Sequence, residues 1–172
     1  MSTVEERLSA LEAQVAALTE HLTSAPAPSD APPTPEGTFW ALDGLKQRLP
    51  ADGTGAVLYT GTVRVADQQY DWQYGRTVDD LLAADWTELA GALSALAHTV
   101  RLRLLREVLG GRQGTGELAE IEDLGTTGQL HHHLRQLTAA GWLRSVGRGR
   151  YAVPAERVVP LLAILAAAAA GR

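Results

Sequence analysis

From Trp86 onward, apolar residues recur at helical spacing in short runs, each closed by glycine, threonine or aspartate, which restricts this part of the chain to small, closely packed helices. The first run, ELAGALSALA, stops near His98 and Thr99; the second, VRLRLLREVL, stops at Gly110 and Gly111. A third, GELAEIE, follows Thr115 as its expected N-cap and ends at Asp123, Leu124 and Gly125. The fourth starts at Thr126 or Thr127 and continues through GQLHHHLRQLTAA to Gly141. WLRSV and RYAV then read as two short strands joined by Gly147, Arg148 and Gly149, and AERVVPLLAILAAAAA as a strongly apolar last helix containing Pro160.

The first half is organised differently. Val4, Leu8, Leu11, Val15, Leu18 and Leu22 are spaced by alternating fours and threes, the seam of a heptad repeat, so residues 1–22 are expected to form a coiled-coil helix. An amphipathic helix packed on its own domain is the alternative, since three heptads are marginal alone. Residues 23–37, TSAPAPSDAPPTPEG, hold five prolines and no large apolar side chain and read as a linker. In residues 38–85 a short helix carrying Phe39, Leu42, Leu45 and Leu49 precedes Pro50. GAVLYTGTVRVA and QQYDWQYG then alternate about Ala66 and Asp67 as a β-hairpin with Val57, Tyr59, Gly61, Val63 and Val65 on one face. Thr77 with Asp80 marks another helix start. The expected class is thus mainly α with small β elements (α+β), with residues 86–172 as the main domain.

No cysteine is present, which excludes disulfides, thiolate metal sites and cysteine nucleophiles and is compatible with a reducing cytoplasm. The N-terminal residues show no signal-peptide pattern, and the apolar run from Val158 to Ala170 is shorter than the ~20 residues a bilayer span needs, so a soluble protein with no membrane partner is expected. The net charge of −5 argues against nucleic-acid binding only if it is uniform. It is not: residues 1–85 carry −8 and residues 86–172 carry +3. Charges further apart than ~8 Å are largely screened at physiological salt, so the basic half can bind phosphate locally.

Two helices joined by a short turn, the second amphipathic and followed by a basic hairpin, make a helix-turn-helix with a wing. On the fourth helix, residues 127–140, Leu130, Leu134 and Leu137 form a core stripe, leaving Gly128, His131, His132 and Arg135 on the opposite side. Gly128 allows close backbone approach, and Gln129 and Arg135 can donate to base edges or phosphates. Thr126 and Thr127 stand at a helix N-terminus, where free amides favour phosphate. ALAHTVRLRLLREVL and LGTTGQLHHHLRQLTAAGWL resemble the opening helix pair and the turn and recognition helix of ArsR-type regulators, a likeness running from about Leu89 to the C-terminus.

That resemblance implies a cytoplasmic, nucleoid-associated homodimer on a pseudo-palindromic operator in double-stranded DNA. It further implies a dimer interface from the terminal helices, including Leu161, Leu162 and Leu165, and a wing, residues 143–153, laying Arg148 and Arg150 along the phosphates or the minor groove. Where metal-sensing members carry a cysteine pair, this chain reads Glu117, Leu118, Ala119, Glu120 and Ile121, so the thiolate sensor is absent.

Blander readings stand beside these. His131, His132 and His133 are consecutive on a helix and point ~100° apart, so they do not converge on one metal, and neither metal nor cofactor is expected. Trp40, Trp72 and Tyr74 are candidates for an effector pocket or, more simply, for core. Asp71, Asp79, Asp80 and the histidines offer acid–base chemistry, but no nucleophile motif or phosphate-binding loop accompanies them, so an enzyme is not expected. The competing function is a winged-helix protein-interaction or scaffold module, oligomerised by its coiled coil, without specific DNA binding.

Overall fold

The computed structural model describes residues 39–122 and 125–170, and the chain divides into two compact units, Met1–Gly44 and Leu45–Arg172. Of the first unit only residues 39–44 are described, in the opening of helix α1 (Trp40–Lys46). The heptad stretch with Leu8, Leu11, Val15, Leu18 and Leu22, and the linker 23–37, lie outside the described residues. The boundary expected between residues 85 and 86 falls inside the second unit.

The fold is mixed helix and sheet. Its first β element is the antiparallel pair β1 (Ala56–Val65) and β2 (Gln68–Thr77), with Tyr59 opposite Tyr74 and Gly61 opposite Trp72. The two-residue turn needs positive φ at both positions to match the strand twist, and Ala66 and Asp67 adopt φ of 47° and 62°. For alanine this costs about 1 kcal/mol, so the turn is held by the strands it joins. Tyr59, Gly61, Val63 and Val65 are half-buried, as the alternation predicts, whereas Val57 is 57% exposed. Val63 and Tyr70 pack against the helical core.

The helical body runs through α2 (Val78–Ala83), a 3₁₀ turn (Trp86–Leu89), α3 (Ala90–Leu96), α4 (Thr99–Leu109), α5 (Thr115–Ala119) and α6 (Thr127–Ala139). A second hairpin, β3 (Arg144–Gly147) with β4 (Arg150–Ala152), leads into α7 (Ala155–Ala169). The run expected as one helix through ELAGALSALA is divided, its beginning wound as the 3₁₀ turn. Thr115 is the first residue of α5 rather than its cap; the cap position is Gly114, whose N–H donates to Glu117 Oε2 at 2.8 Å.

Leu104, Leu105 and Val108 of α4, Leu118 of α5, and Leu130, Leu134 and Leu137 of α6 close around Trp142, Leu143, Val158 and Leu161. Each such side chain contributes about 1.5–3 kcal/mol through removal from water. Two polar ties lock the helices. Trp142 Nε1 donates to Ala92 O at 2.8 Å, and the Arg157 guanidinium lies 5.0 Å over the Trp142 ring. The hairpin joins this body at one close approach: a Cβ on Gly61 would fall 2.8 Å from Val159 Cγ1, so only glycine lets α7 press onto β1. Among the described residues no helix is long and apolar enough to cross a membrane.

Candidate nucleic-acid interface

The start of α6 is fixed by its own side chains. Thr126 Oγ1 accepts the Gln129 N–H at 3.3 Å, and Gln129 Oε1 accepts the Thr126 N–H at 2.7 Å, a reciprocal cap. Gly125 before it has φ of 82°, and a Cβ there would overlap Gln129 Oε1, so the turn requires glycine on two counts. The cap narrows the role expected of two residues. Thr126 Oγ1 and Gln129 Oε1 are committed to the helix start, which leaves Thr127, Gly128 and the Gln129 amide as groups to offer outward.

Beyond the cap the two sides of α6 separate cleanly. Leu130, Leu134 and Leu137 are at most 2% exposed, while Gly128, His131, His132 and Arg135 are all exposed. A Cβ on Gly128 would meet nothing nearer than Thr126 Oγ1 at 3.9 Å. Glycine here costs the helix about 1 kcal/mol relative to alanine, and nothing inside the fold requires it.

His133 differs from its two neighbours. It is half-buried, its ring 4.7 Å from that of His98 and 5.7 Å from that of His132, and its buried Nδ1 has no hydrogen-bond partner. Burial first, then the positive charges of His98, Arg101 and His132, hold its pKa below the usual imidazole value. His98 is itself engaged, its Nδ1 accepting the Val100 N–H at the start of α4. Among the described residues no three histidine, aspartate or glutamate side chains form a group suited to a metal ion.

The β3–β4 hairpin is stitched to the chain before α5. The Thr115 N–H donates to Gly149 O at 2.8 Å, and the Tyr151 N–H to Gln113 O at 2.9 Å. Gly149 has φ of 65°, which favours glycine, and a Cβ there would lie 3.0 Å from Thr115 Oγ1, which would have to give way. Arg150 is exposed but leans back, donating from Nη2 to Gln113 Oε1 at 3.2 Å, whereas Arg148 projects at the tip. The hairpin is therefore held against the N-terminal end of α5 by backbone bonds. Gln113, an anchor for this arrangement, carried no recognisable signal in the sequence.

The residues expected at a dimer interface divide. Leu161 is 1% exposed and belongs to the core of its own chain, so it is not available to a partner; Leu162 is partly buried against the same core. Leu165, at 39%, is a surface residue, and so is its neighbour Ile164. The resemblance had placed Leu161, Leu162 and Leu165 together at an interface, but the start of α7 packs into the core and against the β1–β2 hairpin, while Ile164 and Leu165 stay exposed.

On either side of α7 runs an apolar groove. One, of about 550 Å³, is walled by Val57, Leu89, Leu93 and Ile164 with Trp142 beneath; the other, of about 760 Å³, lies between α7 and α4. Trp72 and Tyr74, candidates for an effector pocket or for core, line neither groove. They stand on β2, half-exposed, with Tyr74 against Tyr59 at 5.7 Å between ring centres. Trp40, in the other unit, is exposed. No family model matches the chain, and no curated protein matches it.

Proposed function

We propose that this chain is a sequence-specific DNA-binding transcriptional regulator, a winged helix-turn-helix protein of ArsR-like type that acts as a homodimer. The observation that carries the reading is the division of α6: a fully buried leucine stripe on one side, and on the other an exposed face of Gly128, His131, His132 and Arg135. Such a face is slim, polar and cationic, which suits entry into a major groove about 12 Å wide. Thr127 and Gly128 at its N-terminal end bring free backbone amides towards phosphate. The β3–β4 hairpin serves as the wing, with Arg148 on the backbone beside the groove and Arg150 supporting it from Gln113.

In the dimer, the open turns of α7 with Ile164 and Leu165 form the seam, together with Leu89 and Leu93. The two α6 helices then enter successive major grooves about one helical turn apart. The same apolar surface favours a second reading, in which the fold is an interaction module that binds protein and not DNA, and the acidic first half suits it.

Selection of bound fragments from random DNA by the full chain distinguishes the two. An inverted repeat enriched by the wild type and lost in Arg135→Ala supports the regulator, with a loss of about 1–3 kcal/mol in binding if Arg135 reads a base. No enrichment, even at low salt, supports the interaction module.

A further inference from the structure

We propose that the cleft between α3 and α6 binds a small zwitterionic carboxylate, of the α-amino-acid class, whose carboxylate pairs with Arg101. The cleft, about 600 Å³, is walled by small residues, among them Gly91 and Ala92 of α3 and Ala139 of α6, and a Cβ on Gly91 would meet nothing within 4 Å. One buried charge stands among these small side chains.

That charge is Arg101, which lines the cleft and is only 9% exposed. Its Nε donates to Ala95 O at 2.6 Å, its Nη2 to Ser94 O at 2.8 Å and its Nη1 to Gln136 Oε1 at 2.5 Å. All three acceptors are neutral. A guanidinium has five N–H donors, so two remain, and no carboxylate among the described residues pairs with it. Buried charges are ordinarily paired with an opposite charge, because the carbonyls at a helix end compensate only a fraction of one. After burial and the charge of His98, the positive charge of Arg101 also helps to hold the His133 pKa down.

Gln136, whose carbonyl oxygen accepts from Arg101 Nη1, also lines the cleft from α6. Glu88 stands on the cleft wall and disfavours a dianion. It suits a ligand that carries an ammonium group as well as the carboxylate.

Calorimetry of the full chain with the free protein amino acids, one at a time, tests the site. The expected result is one amino acid bound per chain, with its N-acetyl derivative and its decarboxylated amine each at least about tenfold weaker. Because Arg101 also holds the end of α3, the blocking variant is Ala139→Leu, at an exposed position whose larger side chain fills the cleft; it should abolish binding without lowering the melting temperature. Glu88→Gln should narrow the gap to the N-acetyl derivative. Ligand should also raise the His133 pKa, read by NMR, because the carboxylate offsets the field of Arg101. No amino acid bound at millimolar concentration, or binding that survives Ala139→Leu, overturns the proposal. None of these readings uses DNA, so this site and the proposed function fail separately.

Discussion

The outer faces of α6 and α7 are both largely open to solvent, but they are finished differently. On α6 every large apolar side chain points inward, and what remains outside is small or polar, with glycine, two imidazoles and a guanidinium among it. On α7 the first turns are packed, with Val158 and Leu161 buried, while Ile164 stays exposed on the groove of Val57, Leu89 and Leu93, and Leu165 on the opposite groove towards α4. The first surface is stable in water and complementary to a polar partner. The second leaves apolar side chains wet on both flanks of α7, which the proposed dimer would cover.

The sharpest way to break this contrast is to cut into each helix. Leu134→Ala should cost about 2–5 kcal/mol in urea unfolding, because it opens a cavity in a closed core. Leu165→Asp should change the stability of the separated chain by no more than about 0.5 kcal/mol while weakening self-association in sedimentation. If Leu165→Asp unfolds the chain as Leu134→Ala does, the outer face of α7 is core and the comparison fails.

Gly61→Val tests whether the hairpin is part of the frame that holds α7. Crowding Val159 should cost about 1–3 kcal/mol by thermal melting. A neutral outcome would mean that the hairpin is a passenger. Thr126→Ala removes one half of the reciprocal cap and should cost about 1 kcal/mol, read as faster amide exchange in the first turn of α6 and not in α7.

The smallest effect is that of pH. The folded pKa of His133 lies below its unfolded value of 6.5, so the unfolded chain binds the proton more readily. The stability that depends on neutral His133 is complete above pH 6.5 and is lost as pH falls from there through the folded pKa. His133→Leu should remove that part of the acid-side decline in denaturant melts; an unchanged decline would place the titrating group elsewhere.

The contrast between the two helices was only half legible in the sequence. The leucine stripe of α6 and the turn at Ala66 and Asp67 depend on residues within a few positions of each other, so spacing alone reveals them, whereas Gln129, read as a donor to DNA, turns its side-chain oxygen to the helix start. Leu161 was misplaced because what buries it comes from distant parts of the chain. The seating of Gly61 on Val159 joins residues 98 apart, and no local pattern reports it. Arg101 was likewise hidden: in VRLRLL it alternates with leucine like a surface arginine, and only the meeting of α3, α4 and α6 buries it.

The most direct test is NMR of the full chain titrated with a DNA duplex of about 20 base pairs, long enough for two half-sites. The account predicts the largest shifts at residues 127–135 and at Arg148 to Arg150, weakening as salt is raised, with Ile164 and Leu165 little affected. Absence of shifts at low salt, or shifts confined to α7 and its grooves, would contradict it.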